Sequence, residues 1–326
     1  MLPSPKHLLA LTALFLSAPL HAATFEEQRT TVAASLETQS EQAILALLTA
    51  GIAENRPAPA VALGIGLVAA RNPEAVMMVL PSDQLITNTA AYQSVMRDAI
   101  TIASHCDGLI TVGIKPTWPC PSYGYIERGE RATINGVDCE NLPYEVKRFR
   151  EKPSTDLAEQ FLAQGGFSWN AGMFVWSIPA VTGELTRQCP QLAHFISELR
   201  HSTDIAATIA AQFPTLTPIS IDYALMEKAK RVLNLEATFD WDDVGSWISI
   251  AKYLPQQGIQ NATNTAISEI DSENNIVFND RKNSHIALLG VDDLIIVQTE
   301  DALLIANRHQ ADAIKKLSDI LPKNLL

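Results

Sequence analysis

The sequence predicts an α/β fold with a mostly parallel sheet, followed by a small C-terminal β-rich appendix. Short apolar runs typical of buried strands, such as residues 75–80 and 108–112, alternate with helical segments up to about Leu254. Beyond residue 266 the pattern changes to short alternating strands and closes with a predicted helix at 310–317. A chain of 326 residues is long enough for one large domain with one small one.

Composition argues against several classes of protein. With 24 basic and 36 acidic residues, the net charge of −12 argues against non-specific nucleic-acid binding, but not against a phosphorylated small substrate. The four cysteines have no C-x-x-C spacing, so we expect free thiols rather than a zinc site or a redox motif. After the N-terminus, no apolar run approaches the ~18 residues that a membrane span needs.

The first 23 residues allow two interpretations. Lys6 and His7 precede an apolar run at 8–18, as in a secretory signal peptide, although the residues at the cleavage end are larger than usual. Alternatively, residues 5–9 belong to the folded domain and the segment is a truncated N-terminus. The first interpretation implies export, and the second a cytoplasmic protein.

Between residue 24 and the appendix, local signals predict the elements in order. Thr24 and Glu27 form a capping box that opens a helix through Leu36, and Ser154 caps a later one. The Gly64–Gly66 pair follows no strand, which favours close packing over a nucleotide-binding loop. Residues 169–172 are predicted to be a tight turn. Further helices are expected at 60–70, 90–103 and 223–230 and in segments up to about 212, and strands at 75–80, 108–112, 144–149, 173–176, 276–278, 285–289, 294–298 and 302–306.

Asp83 follows a predicted central strand. Pro81 removes a ladder hydrogen-bond donor and ends the strand, so Asp83 lies just past its carboxyl end. Open α/β sheets bind their ligands at that edge. The alternative is that Asp83 only caps the next segment, because Asp is common in turns.

Two acidic loops, around Asp83 and Asp243, could converge on one Mg²⁺ ion, which takes one or two carboxylates and completes its shell with phosphate oxygens and water. Lys152 would suit a phosphate. A hydroxyl-rich ligand could be bound by the Gly124 backbone, Glu151 and Asn170. Each signal also has a structural explanation: Glu151 and Lys152 as a surface pair, and the acidic loop between Trp241 and Trp247 as a packed turn.

Several motifs together resemble a known family. Their order is that of bacterial mannose-1-phosphate guanylyltransferases, and the resemblance covers about residues 56–317. The motifs are Leu80-Pro81-Ser82-Asp83, the loop from Gly113 to Ile126, Phe149-Arg150-Glu151-Lys152-Pro153, Trp169-Asn170-Ala171-Gly172, Ser220-Ile221-Asp222-Tyr223, Asp243-Val244-Gly245-Ser246-Trp247 and a C-terminal run from Ala287 to Leu304.

The resemblance implies a Rossmann-like nucleotidyltransferase domain at about residues 24–255 and a β-rich subdomain at 256–326. It implies an enzyme that converts GTP and mannose 1-phosphate to GDP-mannose and pyrophosphate with Mg²⁺, in the cytoplasm and as a possible homo-oligomer. Isomerase activity, which longer members carry in an added domain, is not expected. The roles implied are metal binding by Asp83 and Asp243, catalysis by these two and Lys152, and substrate binding by Lys6, Gly124, Glu151, Asn170 and Asp222.

The sequence departs from the family pattern at its N-terminus. The Gly-rich loop that holds the triphosphate in the family is absent, and Pro5-Lys6-His7 resembles the motif that follows this loop. Backbone donors of such a loop are difficult to replace by scattered lysines, so we expect reduced activity. The alternative is a non-catalytic homologue that binds a sugar nucleotide or a partner, or a decayed fragment.

Overall fold

A computed structural model describes residues 57–81 and 84–322. Contacts divide these residues into a first unit, residues 57–81 and 88–240, and a second unit, residues 84–87 and 241–322. The predicted boundary between residues 255 and 256 stays a prediction. Lys6, Asp83 and the predicted helix at 24–36 lie outside the described residues.

The first unit combines helices with one six-stranded sheet. The helices are α1 (Pro57–Arg71), α2 (Thr89–Ala103), α3 (Thr155–Gln164), α4 (Ile178–Gln188), α5 (Pro190–His201) and α6 (Ile205–Gln212). The strands are β1 (Val76–Val79), β2 (Leu109–Ile114), β3 (Tyr125–Arg131), β4 (Pro143–Arg150), β5 (Phe167–Ser177) and β6 (Val232–Glu236). Most predicted elements are present with ends shifted by one to three residues, whereas β5 begins six residues earlier than predicted, and β3 and β6 were not predicted.

The α/β class is confirmed, but the expected mostly parallel sheet is not found among the described strands. The order is β1-β5-β2-β6-β4-β3, and β5 also pairs with β3. Only β2 and β6 pair in parallel there, while the other described pairs of this sheet are antiparallel. A continuous apolar run indicates a buried strand but not its direction, which explains the error.

The predicted turn at residues 169–172 is wrong, because these residues lie inside the eleven-residue strand β5. Gly172 has a φ of 68°, and the pairing of β2 with β5 shifts register between Thr111 and Gly113. A bulge of this kind bends a strand without ending it, and it uses the residue types of a turn.

Helix α1 packs tightly, as the two glycines predicted. A Cβ on Gly66 would lie 2.6 Å from Leu199 Cδ1, and one on Gly64 would lie 2.9 Å from Met77 Cε. The helix joins α4, α5 and one face of the sheet in the main apolar core. Gly66 therefore allows α1 and α5 to approach closely, as a packing glycine does.

The second unit is a small β structure. Its elements are helix α7 (Trp247–Ala251) and strands β7 (Gln256–Gln257), β8 (Asn261–Thr263), β9 (Ile267–Ile270), β10 (Ile276–Asn279), β11 (Ile286–Leu289), β12 (Leu294–Gln298) and β13 (Leu303–Asn307). One sheet has the order β13-β12-β10-β8-β7, and β9 pairs with β11 in parallel. The four predicted strands are confirmed within one residue, but the predicted helix at 310–317 is a 3₁₀ segment, Arg308–Asp319, with a kink at Gln310.

Two further predictions concern thiols and membranes. All four cysteines are free thiols. Among residues 57–81 and 84–322, no helix has both the length and the apolar character needed to cross a bilayer.

Candidate active site

Four residues predicted from the sequence meet in the first unit. Gly124, just before β3, accepts a 2.8 Å hydrogen bond through its backbone carbonyl from the backbone N–H of Asn170 in β5. A Cβ on Gly124 would lie 2.5 Å from Glu151 Oε2 and 3.4 Å from Asn170 Cβ. Only glycine lets the Glu151 carboxylate come this close to the strand. Asp222 joins the cluster through Asn170.

The amide of Asn170 is held at both ends. Its Nδ2 donates to Asp222 Oδ1 at 2.8 Å, which makes a charge-assisted bond when Asp222 is ionised. Its Oδ1 accepts from the Gly172 backbone N–H at 3.1 Å and from Thr111 Oγ1 at 3.4 Å. These contacts fix which way the amide faces, so the side chain is preorganised for a polar ligand.

The surroundings of the cluster disfavour the ionised form of its carboxyl groups. Burial raises the pKa of Glu151, and the nearby Asp222 charge raises it further. Burial also raises the pKa of Asp222, against the lowering effect of the hydrogen bond from Asn170. The pKa of Glu227 is raised in turn by burial and by Asp222. A ligand that donates hydrogen bonds to these oxygens would relieve this cost.

Lys152 lies at the edge of the cluster. Its Nζ is 3.7 Å from Glu151 Oε1, and its side chain is 69% exposed. Such an exposed pair contributes little stability, so the ammonium group can turn to a ligand at small cost. Its φ of 43° is unusual for a residue other than glycine, and strained backbone of this kind is often found at functional sites.

The acidic loop of the second unit contains two aspartates with different environments. Asp242 Oδ2 accepts from Lys252 Nζ at 2.9 Å and from Tyr253 OH at 3.1 Å, and its Oδ1 accepts from the Val244 N–H at 3.0 Å. Burial opposes the ionisation of Asp242, but these hydrogen bonds outweigh it and lower its pKa. Its backbone exchanges two hydrogen bonds with Leu85. Asp242 therefore anchors the loop.

Asp243, the predicted metal ligand, is half-buried and makes no hydrogen bond or ion pair with the described part of the chain. A Cβ on Gly245 would lie 2.9 Å from its Oδ2, so glycine leaves room for the carboxylate. An uncommitted carboxylate is what a magnesium site needs from the protein. Asp243 fits this role, while Asp83, its predicted partner, lies outside the described residues. The shared Mg²⁺ site stays a prediction.

Sequence reasoning missed some members of the cluster. Thr111 carries the one hydroxyl group in the apolar strand β2. This hydroxyl was the sequence signal that could have identified Thr111. Glu227 follows Asp222 by five residues, and the π-helical turn Asp222–Met226 closes with a hydrogen bond from Glu227 N to Asp222 O. The predicted α-helix at 223–230 is therefore wrong, because residues 222–226 form this π-helical turn.

Comparisons with known proteins agree with this architecture. The family model "Nucleotidyl transferase" matches residues 11–258. The chain belongs to the nucleotidyl transferase family. A second family model, "MannoseP isomerase/GMP-like beta-helix domain", matches residues 266–321.

Relatives within the family carry the name that the sequence motifs indicated. A mannose-1-phosphate guanylyltransferase of Sinorhizobium fredii (strain NBRC 101917 / NGR234) is 34% identical over 269 residues, covering 80% of this chain and 50% of the relative. One from Escherichia coli is 34% identical over 274 residues, covering 82% and 56%. The resemblance is thus confirmed, although this chain spans about half the length of the curated relatives it matches.

A solved structure supports the fold. The crystal structure of a mannose-1-phosphate geranyltransferase from Thermus thermophilus matches with a TM-score of 0.69 at 27% identity, covering 81% of this chain and 75% of that chain. The nucleotidyltransferase class of the fold is therefore confirmed.

Proposed function

We propose that this member of the nucleotidyl transferase family is an enzyme that transfers a guanylyl group from GTP to mannose 1-phosphate. The observation that carries the proposal is the convergence of Gly124, Glu151, Asn170 and Asp222. Guanylyltransferase is also the activity that the names of the similar relatives give. Because these reactants are cytoplasmic metabolites, we place the reaction in the cytoplasm.

In this reaction an oxygen of the mannose 1-phosphate group attacks the α-phosphorus of GTP. A new O–P bond forms, the bond from the α-phosphorus to the bridging oxygen breaks, and pyrophosphate leaves. Proteins accelerate such a transfer mainly by positioning the reactants and by neutralising charge.

Each residue then has a role. Glu151 and Asp222 supply acceptors for sugar hydroxyls, and Asn170, whose amide is already oriented, supplies a polar edge beside them. Lys152 neutralises the sugar phosphate. Asp243, with Asp83, would hold a Mg²⁺ ion, which when bound offsets the negative charge of the triphosphate.

The experiment is an assay of pyrophosphate release by the full chain with GTP, mannose 1-phosphate and Mg²⁺. We expect release that needs both substrates and that falls strongly in Asn170→Ala, whereas the exposed Glu159→Gln on α3 serves as a matched control with unchanged activity. If both substrates bind by calorimetry but no pyrophosphate appears, the chain is a non-catalytic binding protein and the proposal is wrong.

A further inference from the structure

A cavity of about 700 Å³ lies in the first unit, away from the candidate active site. Its wall includes Cys106 and Asp107, which precede β2, and Lys230 and Arg231, which precede β6. Since β2 and β6 are parallel, these residues meet at the amino-terminal edge of that pair. Asn170 pairs with Gly113 near the other end of β2, roughly 13 Å along the strand. The two sites share no residue.

Two of the cations in this wall are held by carboxylates. Arg187 Nη2 donates to Glu184 Oε1 at 2.6 Å, and this Glu184 side chain is only 4% exposed. Arg231 donates to Glu145 Oε1 through Nη2 at 2.7 Å and through Nε at 3.1 Å. These carboxylates fix the position of each guanidinium group. Because a guanidinium group has five N–H donors, each still has donors that a ligand could use.

The remaining groups define what could bind. Lys230 is exposed and forms no ion pair with the described residues, while its backbone N–H donates to Glu184 Oε1 at 3.1 Å. Glu184 Oε2 is buried and has no hydrogen-bond partner in the described structure. The site thus combines an uncommitted ammonium group and two anchored guanidinium groups with one unused carboxylate oxygen.

The hydrogen-bond donors of the wall favour an anion. Arg187, Lys230 and Arg231 supply these donors, while Glu184 and Glu145 each pair with one of the two arginines. His105 also lines the cavity and engages the Thr101 carbonyl through Nδ1.

We propose that this cavity binds a phosphate ester that also carries hydroxyl groups, either a sugar phosphate or a nucleoside phosphate. The phosphate would contact Lys230, Arg187 and Arg231, since guanidinium and ammonium groups are the preferred phosphate ligands. A hydroxyl would donate to Asp107, an exposed carboxylate of the wall. The volume matches that of ordinary small-molecule sites. This proposal does not depend on the function proposed for the active site.

Cys106 provides a local reporter, because its half-buried thiol lines the cavity. The full chain is alkylated with iodoacetamide at fixed pH, and modification of each cysteine is followed by mass spectrometry. Mannose 6-phosphate and GMP, each at 5 mM, are the two probes and distinguish a sugar from a nucleoside ligand. We expect at least one of them to slow alkylation of Cys106 by threefold or more, and to leave Cys139 and Cys189 unchanged.

Variants locate the effect. Lys230→Gln should abolish the protection of Cys106, while Lys228→Gln, an exposed lysine outside the cavity wall, should retain it. Asn170→Ala should also retain it, because the ligand does not act through the active site. Absence of protection with both probes, protection that survives in Lys230→Gln, or protection that disappears in Asn170→Ala would each overturn the proposal.

Discussion

At the scale of single residues, the orientation of Asn170 depends on Asp222, whose Oδ1 lies 2.8 Å from Asn170 Nδ2. We expect Asn170→Ala and Asp222→Ala each to weaken mannose 1-phosphate binding about tenfold or more, as loss of a charge-assisted hydrogen bond does, with less effect on GTP. Because the two side chains act as a unit, the double variant should lose little more than either single one. Titration calorimetry on the four proteins measures this coupling. Additive losses, or equal losses for both ligands, would mean that Asn170 is only structural.

Glu151 provides a pH test at the same scale. Burial, and then repulsion from Asp222, raise its pKa. A carboxyl group whose pKa is higher in the folded chain than in the unfolded chain stabilises the fold in its protonated form. This contribution is complete below the unfolded pKa, about 4.3, and is lost as the pH rises through the folded pKa. Ionised Glu151 therefore lowers stability at neutral pH, and Glu151→Gln avoids that cost.

We expect Glu151→Gln to have a higher thermal midpoint than the parent at pH 7. This difference between the two proteins should be smaller at pH 4. The exposed Glu159→Gln is the control and should show no such difference between the two pH values. A variant that is less stable than the parent at pH 7 would contradict the assigned direction of the pKa shift.

At the scale of elements, two buried asparagines allow a paired prediction. Asn234 in β6 is fully buried, and neither its Oδ1 nor its Nδ2 has a partner in the described structure. Asn275, just before β10, is equally buried, but its side chain bonds to Asn261 Oδ1 at 3.0 Å, Val291 O at 2.9 Å and Leu294 N at 2.9 Å. An unsatisfied buried polar group costs stability, while a satisfied one supports its neighbours.

The same substitution should therefore have opposite effects. Asn234→Leu should increase the free energy of unfolding by about 1–3 kcal/mol. Asn275→Leu should decrease it by a similar amount, because it removes three hydrogen bonds and leaves Val291 O and Leu294 N without their partner. Urea denaturation of both variants checks this. The exposed Asn283→Gly, at a φ of 59°, is expected to be nearly neutral. Destabilisation by Asn234→Leu would contradict the assignment of its amide as unsatisfied.

The elements also show what the sequence could and could not predict. Apolar periodicity located most helices and strands of the first unit and four strands of the second, since burial itself creates that pattern. It could not give strand direction, and it misassigned residues 169–172 because a bulge and a turn use the same residue types. Gly124, Glu151 and Asn170 were proposed from their residue types and again through the motif resemblance, and Asp222 through the resemblance alone. Spacing alone could not find Thr111 or the left-handed backbone of Lys152, because both depend on tertiary pairing.

At the scale of the whole molecule, the candidate residues fall in two units, with the sugar-side cluster in the first and Asp243 in the second. Variants in the two units should therefore affect different substrates. Asp243→Asn should weaken Mg²⁺-dependent GTP binding strongly and leave mannose 1-phosphate binding within about twofold, because carboxylate ligands hold the metal and not the sugar.

The neighbouring Asp242→Asn is the control for this prediction, because Asp242 anchors the loop through Lys252, Tyr253 and Val244. The hydrogen bonds that lower its pKa stabilise the ionised form, so Asp242→Asn should lower the thermal midpoint, whereas Asp243→Asn should not. Calorimetric titration of each substrate, with and without Mg²⁺, and thermal unfolding separate the two roles. If Asp243→Asn lowers the thermal midpoint as much as Asp242→Asn and leaves GTP binding intact, Asp243 is a structural residue and not a metal ligand.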